Sequence, residues 1–237
     1  MKIKFIARDE IVAKTFKNPS PAAKNIPNWY REQEKYVGGE KKLMSRGPGA
    51  KFNQTIKSCP AVHDGMTAGY LFYTPCDIHI SQEEGMINFD FSSEAYCRIN
   101  AHGQEQIGKV ELDRGYYHDE CVFKFVADWA VKTPKGYSSM IMHPMWREDL
   151  PFRVLPGIID TDSYNGIMNF LFLLKRGYEG IIPAGTPVGQ IIPFKRDDWK
   201  SSIEVSTLED WDSNFLRDSI NFQGTYRKNH FKKKNYK

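Results

Sequence analysis

The stretch that decides the fold runs from Pro156 to Phe194 and reads PGIIDTDSYNGIMNFLFLLKRGYEGIIPAGTPVGQIIPF. Short apolar runs alternate in it with Gly, Pro, Asn and Asp, which is the pattern of strands joined by tight turns. Gly157, Gly166 and Gly185 fall at the ends of these runs, where a backbone needs positive φ or a close approach. The stretch therefore predicts consecutive β-strands rather than alternating strands and helices.

Similar short runs continue upstream as far as Thr55, each bounded by turn residues. They are TIKSC, GYLFYT, DIHI, MINFDF, CRINA, CVFKFVADWAV, SSMIM and FRVLPGIID. Evenly spaced strands of this kind are typical of a β-sandwich or barrel. We expect a mainly β domain over residues 52–198.

Two appendages are predicted on either side of this domain, since 237 residues suffice for one sizeable core with additions. Residues 1–51 read as an N-terminal strand, a short helix and a surface loop, with Trp29 and Tyr30 as aromatic anchors. Residues 199–237 read as a C-terminal helix capped by Thr207, with Trp211, Phe215, Leu216 and Ile220 at helical spacing, followed by a basic tail.

The basic tail is the one strong electrostatic feature of a chain whose net charge is only +4. From Tyr226 it reads YRKNHFKKKNYK, with six Lys or Arg and no acid. It could contact nucleic acid or a protein partner through Arg227, Lys228, Lys232, Lys233 and Lys234. Alternatively, these cations could simply complement the dipole of a solvated helix end.

Membrane insertion, export and a metal centre are not expected. No window approaches the roughly 20 apolar residues of a membrane span, and the charged start MKIKFIARDE does not resemble a signal peptide. Four cysteines lie far apart without histidines at ligand spacing, so we expect reduced thiols and no metal site.

Four ordered segments resemble the motifs of dUTP pyrophosphatases (dUTPases) and the related dCTP deaminases. The third and fourth motifs are matched by Gly157–Asp160 with Tyr164 and Gly166, and by Ala184–Gln190. Upstream, Thr67–Phe72 is similar to the first motif, and Pro134–Tyr137 to the entry of the second. The resemblance implies a dUTPase-like β-clip, which is a distorted β-barrel.

The resemblance also implies roles for individual residues. Asp160 matches the aspartate that activates water, and general-base catalysis needs such an ionised acceptor. Tyr164 matches the tyrosine on which the nucleoside packs, with Gly166 beside it. Gln190 matches a phosphate-contacting glutamine, and His143 occupies the second motif.

Several departures from the family argue against ordinary dUTP hydrolysis. Leu71 stands where the family has a magnesium-binding aspartate, and leucine cannot bind a hard cation. The second motif reads His143-Pro144-Met145 in place of arginine and serine. The third motif has an additional residue in DTDSY. No glycine-rich C-terminal arm is present, and no acid in MNFLFLL could serve as the deaminase glutamate.

Three functions follow as expectations. The first is a catalytically altered domain that acts by binding, without a cofactor. The second is a divergent nucleotide hydrolase, for which alone Mg²⁺ is expected. The third is a sequence-independent nucleic-acid binder that uses the basic tail.

The resemblance further implies a homo-oligomer, with a trimer as the usual assembly and MNFLFLL as a candidate interface. The segments NIPNWYRE, TIKSCPAVHDG and DTDSY also resemble an uncharacterised group of tailed-phage proteins. We therefore expect a phage accessory or virion-associated protein, located in the host cytoplasm or in the virion.

Overall fold

The structure is a computed structural model, and it describes residues 1–44, 52–108, 116–117, 121–216 and 222–237. The chain divides into two compact units. The first comprises Met1–Ala22, Gly69–Arg196 and Lys237, and the second comprises Ala23–Ala68 and Asp197–Tyr236. The boundaries predicted from the sequence remain a prediction.

Thirteen strands are found among the described residues, all of them in the first unit. They are β1 (Lys4–Ala7), β2 (Ser20–Pro21), β3 (Tyr70–Tyr73), β4 (Ile78–Glu83), β5 (Met86–Phe91), β6 (Ile99–Gly103), β7 (Cys121–Lys132), β8 (Tyr137–Met142), β9 (Phe152–Val154), β10 (Gly157–Ile159), β11 (Ile167–Leu174), β12 (Gly180–Ile182) and β13 (Pro187–Lys195). The first unit also holds two helices, α1 (Glu10–Thr15) and α4 (Gln104–Ile107).

These strands form three antiparallel sheets. The first has the order β1-β7-β11-β9, with β6 also paired to β7, and the second has the order β10-β8-β13-β3-β2. The third is β12-β4-β5. The prediction of a mainly β domain is confirmed, and the described strands form separate sheets rather than a closed barrel.

The core is built on β11, which lies between β7 and β9. Alternate residues Met168, Phe170, Phe172 and Leu174 are fully buried, as the period of two in a strand requires. The ring of Phe172 stacks on that of Phe125 with centroids 4.0 Å apart. The apolar character of MNFLFLL is therefore explained by the chain's own core and does not by itself indicate an interface.

The second unit contains the helices α2 (Asn28–Glu32), α3 (Pro60–Thr67) and α5 (Leu208–Trp211). The prediction of a strand at TIKSC is wrong, because Ile56–Ser58 forms a 3₁₀ turn that leads into α3, with Pro60 at the first helical position. That position suits proline, which lacks an N–H to donate. Tyr30 is buried with Val62 and Met66, whereas Trp29 is exposed.

The C-terminal helix is shorter than the sequence predicts. Thr207 is its N-cap, and its hydroxyl accepts a hydrogen bond from the Asp210 N–H at 3.1 Å. After α5 the backbone continues in π-helical turns over Asp212–Leu216 and Phe222–His230. Trp211, Phe215 and Leu216 remain exposed, and Ile220 lies outside the described residues.

None of the described helices is long and apolar enough to span a membrane. All four cysteines are free thiols, and Cys76 and Cys97 are buried. Burial raises the pKa of the Cys97 thiol far above its usual range, which keeps it protonated.

Candidate functional site

The turn between β10 and β11 carries three of the predicted site residues. It is closed by the carbonyl of Asp160, which accepts hydrogen bonds from the N–H groups of Ser163 at 3.0 Å and Tyr164 at 2.8 Å. Aspartate is favoured at the start of such turns. Because β10 pairs with β8, with Ile159 opposite Ser139, the side chain of Asp160 reaches Ser138.

The carboxylate of Asp160 already has two donors on one oxygen. The Ser138 hydroxyl donates to Oδ1 at 2.6 Å, and Arg196 Nη1 donates to the same atom at 3.2 Å. The side chain is nevertheless 63% exposed, so water can reach it. Asp160 is therefore an accessible carboxylate whose charge is matched by a guanidinium.

Asp162 has a structural role in the same cluster. Its side chain is only 7% exposed, and its carboxylate accepts hydrogen bonds from both Nη atoms of Arg196 and from the Gly136 N–H at 2.8 Å. Arg196 first, and then the Gly136 amide, hold the pKa of Asp162 far below its usual range. This pairing ties the third motif to the turn between β7 and β8.

Thr161 points inward between these two aspartates and is fully buried. Its hydroxyl lies 2.8 Å from that of Thr133 and 3.0 Å from that of Ser139. DTDSY therefore alternates between an exposed carboxylate, a buried hydroxyl and a buried carboxylate. The longer form of the motif anchors the turn to β8.

Tyr164 lies over Gly166. A Cβ added at Gly166 would stand 2.1 Å from the Tyr164 hydroxyl, so a larger residue there would displace the ring. The Tyr164 carbonyl accepts a hydrogen bond from Lys132 Nζ at 2.5 Å. Tyr164 is 40% exposed as a residue, so its ring could still pack against a planar ligand.

Gln190 is buried in the second sheet and is not open to solvent. It is 1% exposed, and its Oε1 accepts a hydrogen bond from the Met145 N–H at 2.8 Å. In the sheet register Gln190 lies opposite Leu71 on β3 and Met142 on β8. Leu71 and Pro144 are also buried. These three side chains are buried, and the Gln190 oxygen already has a hydrogen-bond donor, so the group is not arranged around a ligand.

His143 is held by the backbone through both ring nitrogens. Nδ1 accepts from the Val154 N–H at 3.3 Å, and Nε2 is 3.0 Å from the Arg147 carbonyl, so the ring is neutral with its proton on Nε2. Burial is the main cause of a lowered pKa at His143. It is a structural residue of the loop after β8.

The predicted site residues form two groups within one chain. Asp160 lies at the Ser138 end of β8, whereas Gln190 lies opposite Met142 at the other end. Ser138 and Met142 are four positions apart along the strand, which corresponds to about 13 Å. One chain alone does not gather Asp160 and Gln190 in one pocket.

Neither group, as placed within one chain, offers a divalent metal several unpaired oxygen ligands. Hard cations take several oxygen ligands, but Asp160 and Asp162 are both paired with Arg196, and Leu71 offers no oxygen. Across the described part of the chain, no three His, Cys, Asp or Glu side chains are grouped to hold a metal ion.

The basic tail as far as Tyr236 belongs to the second unit, and its cations have different surroundings. Lys234 pairs with Asp64, which raises the pKa of Lys234, and its Nζ lies 4.9 Å from the Phe231 ring centroid. Arg227 and Lys233 line a pocket of about 630 Å³ together with residues of α2 and the 3₁₀ turn. Lys228 and Lys232 are exposed.

Comparisons with known proteins give structural likeness only. No protein-family model matches the chain, and no curated relative matches it by sequence. A mutant dUTPase of Staphylococcus bacteriophage 80alpha with dUpNHpp is 14% identical, with 73% of this chain and 92% of that chain covered and a TM-score of 0.30.

A mutant dUTPase from phage phi11 of S. aureus, described with a structural Mg(II) ion, is 13% identical. The match covers 71% of this chain and 98% of that chain, with a TM-score of 0.31. The backbone overlap with both structures is small, so the description of this fold rests on the chain's own strands.

Several cations of the third-motif turn and of the pocket in the second unit were not predicted from the sequence. Arg196 closes the third-motif turn, and its only sequence signal is its position directly after β13. Arg31 and Lys57 line the pocket that contains Arg227 and Lys233. They lie far from the tail in the chain, and no short motif marks them.

Proposed function

We propose that this chain is a catalytically altered dUTPase-like β domain that acts by binding. The observation that supports the proposal most directly is the pairing of Asp160 with Ser138 and Arg196, at the place where the sequence motif has its water-activating aspartate. Leu71 and Gln190, which match a metal ligand and a phosphate contact, are buried in sheet packing. Losing such charge stabilisation removes most of the basis for phosphoryl-transfer catalysis.

A nucleotide-hydrolysis panel tests this proposal. Purified chain is incubated with the canonical ribo- and deoxyribonucleoside triphosphates in Mg²⁺ or Mn²⁺, and released pyrophosphate and phosphate are measured. We expect no turnover above that of Asp160→Asn on any substrate. An active phage dUTPase serves as the positive control.

A divergent metal-dependent nucleotide hydrolase is a second candidate. It is favoured by one observation, the 63% exposure of the Asp160 side chain, which leaves the carboxylate open to water. Turnover that Asp160→Asn abolishes and Asp90→Asn retains would establish the hydrolase and end the binding-only proposal. Asp90 is a suitable control because it is exposed on β5.

The proposal includes a homotrimer as the working assembly, because the motifs resemble those of a family that usually assembles in this way. Light scattering coupled to size-exclusion chromatography is expected to give three times the 27.4 kDa mass of one chain. A mass of one chain at micromolar concentration would contradict the trimer without affecting the hydrolysis test.

We also propose that the protein is a phage accessory or virion-associated protein, on the strength of the NIPNWYRE, TIKSCPAVHDG and DTDSY segments. Quantitative mass spectrometry of purified particles and of the surrounding lysate separates the two cases. Enrichment in particles indicates a virion component, and recovery in the lysate alone indicates an accessory protein of the host cytoplasm.

A further inference from the structure

The second unit contains a pocket that no residue of the dUTPase-like motifs lines. Its volume is about 630 Å³, within the range of small-ligand sites. Three segments distant in sequence form its wall: α2 with the residue pair before it, the 3₁₀ turn with the start of α3, and the basic tail. The lining residues are Ile26, Tyr30, Arg31, Lys57, Ser58, Cys59, Pro60, His63, Arg227, Phe231 and Lys233.

The charge of this wall has one sign. Four of its residues are Lys or Arg, and none is Asp or Glu. Within the described residues, Arg31, Arg227 and Lys233 form no ion pair, and Asp64 is already paired with Lys234. Lys57 is positioned by a hydrogen bond from its Nζ to the Arg31 carbonyl at 2.7 Å. Cations gathered in a concave site attract an anion, and guanidinium groups suit phosphate in particular.

Apart from Ser58 and His63, the remaining wall is apolar or aromatic. Tyr30 is fixed in place, since it is 4% exposed and its hydroxyl donates to the Lys57 carbonyl at 3.2 Å. Phe231 is half-buried, and Ile26 and Pro60 complete this side. Aromatic and apolar surfaces beside cations are how proteins hold a base together with its phosphate.

We infer that this pocket binds a nucleotide unit, with the phosphate against Arg31, Lys57, Arg227 and Lys233 and the base against the half-buried ring of Phe231. The unit comes either from a free nucleotide or from single-stranded nucleic acid. The inference rests on the proposed binding function and gives the chemical class of its ligand. Its failure would leave the hydrolysis panel unaffected, so the two can be told apart.

The tail offers a matched pair of double variants for the test. All four of these side chains are exposed, but Arg227→Ala with Lys233→Ala removes two cations that line the pocket, whereas Lys228→Ala with Lys232→Ala removes two that do not. Both variants lose the same charge from the same segment. Thermal unfolding of each confirms that the fold is retained, and Lys57→Gln tests the opposite wall independently of the tail.

Binding is measured by fluorescence anisotropy with a labelled oligothymidylate of roughly 12 nucleotides, a length within the site sizes of single-strand binders. Competition with unlabelled nucleoside mono- and triphosphates forms the second arm. We expect the Arg227→Ala, Lys233→Ala variant to bind the probe about tenfold or more weakly than wild type, which corresponds to about 1.4 kcal/mol. The affinity of the Lys228→Ala, Lys232→Ala variant should stay within about twofold of wild type. Displacement by free nucleotides identifies a nucleotide pocket, and displacement by oligonucleotide alone identifies a strand site.

Cys59 supplies a readout that does not depend on mutation. It lies in the pocket wall and is partly exposed, as is Cys121 in the other unit. Bound probe is expected to slow alkylation of Cys59 at least fivefold and to leave Cys121 unchanged. The inference is overturned if the two double variants lose the same affinity for the probe or if polyglutamate binds as tightly as the probe. It is also overturned if saturating probe does not protect Cys59 from alkylation.

Discussion

Both Nη atoms of Arg196 donate hydrogen bonds to the carboxylate of Asp162, and one of them also reaches Asp160. This one guanidinium therefore compensates two carboxylates of the third-motif turn. Asp162 is buried by the pairing, whereas Asp160 stays exposed at the rim. The two aspartates of DTDSY consequently differ in their contribution to stability, and substituting each one should change the free energy of unfolding by a different amount.

Asp162→Asn should lower the free energy of unfolding at pH 7 more than Asp160→Asn. The reason is that Asp162 is 7% exposed with three donors, while Asp160 is 63% exposed. Urea unfolding of both variants measures the difference. Equal losses would show that Asp162 does not anchor the turn.

The pH dependence of Asp162 follows from its lowered pKa. A carboxyl group whose pKa is lower in the folded state stabilises the fold fully above its unfolded pKa of about 3.8. The contribution is lost as pH falls below that value. Wild-type unfolding should therefore be more sensitive to acid below about pH 4 than that of Asp162→Asn.

Gln190→Leu should destabilise the chain by about 1–3 kcal/mol, because the Met145 N–H, in the loop after β8, would lose its acceptor. Gln82→Leu is the comparison, since Gln82 is a partly exposed glutamine on β4 that donates to the Tyr178 carbonyl at 3.3 Å, so its loss leaves no backbone N–H without an acceptor. Denaturant unfolding is the measurement. If Gln190→Leu is as stable as wild type, the side chain is not a structural acceptor, and its assignment to a ligand becomes stronger.

Gly69→Ala should be far more destabilising than Gly85→Ala. Both glycines have positive φ, at +66° and +82°, so both substitutions carry the left-handed cost of about 1–2 kcal/mol. A Cβ at Gly69 would also stand 1.9 Å from the Ile191 carbonyl oxygen, whereas Gly85 has open space around it. Comparable midpoints in urea for the two variants would contradict the close approach of β3 and β13.

Stability should decrease as pH falls from about 7 to 5, and His143 should be responsible. Its pKa is lowered by burial, so the folded state resists protonation while the unfolded state takes up a proton near pH 6.5. The stabilising contribution is complete above pH 6.5 and is lost toward the lower, folded pKa. His143→Gln should flatten the pH profile, and His79→Gln, on the exposed side of β4, should leave it unchanged.

Local pattern was sufficient for several elements. MINFDF coincides with β5, and Glu84 and Gly85 form its turn with β4, where both have positive φ. Such hairpins are specified by a few adjacent residues. FRVLPGIID is divided into β9 and β10 because Pro156 interrupts the run between them. TIKSC failed because five residues cannot distinguish a strand from the lead into a helix that begins at Pro60.

The candidate site was only partly predictable. Asp160, Tyr164 and Gln190 could be named from motif order, but their partners could not. Arg196 meets Asp162 across 34 positions of sequence, and Arg31 joins Arg227 in one pocket wall across nearly the whole chain. No short window contains either pair.

The sequence by itself determined that this chain forms many short strands, because alternation and turn chemistry act within a few residues. Only the tertiary structure decided that Asp160 is hydrogen-bonded to Ser138 and Arg196 and that Gln190 accepts a hydrogen bond from the Met145 N–H. It also decided that cations distant in sequence line one pocket. The physical reason is that charge pairing and burial depend on which segments meet in space, and sheet pairing sets those meetings over the whole chain.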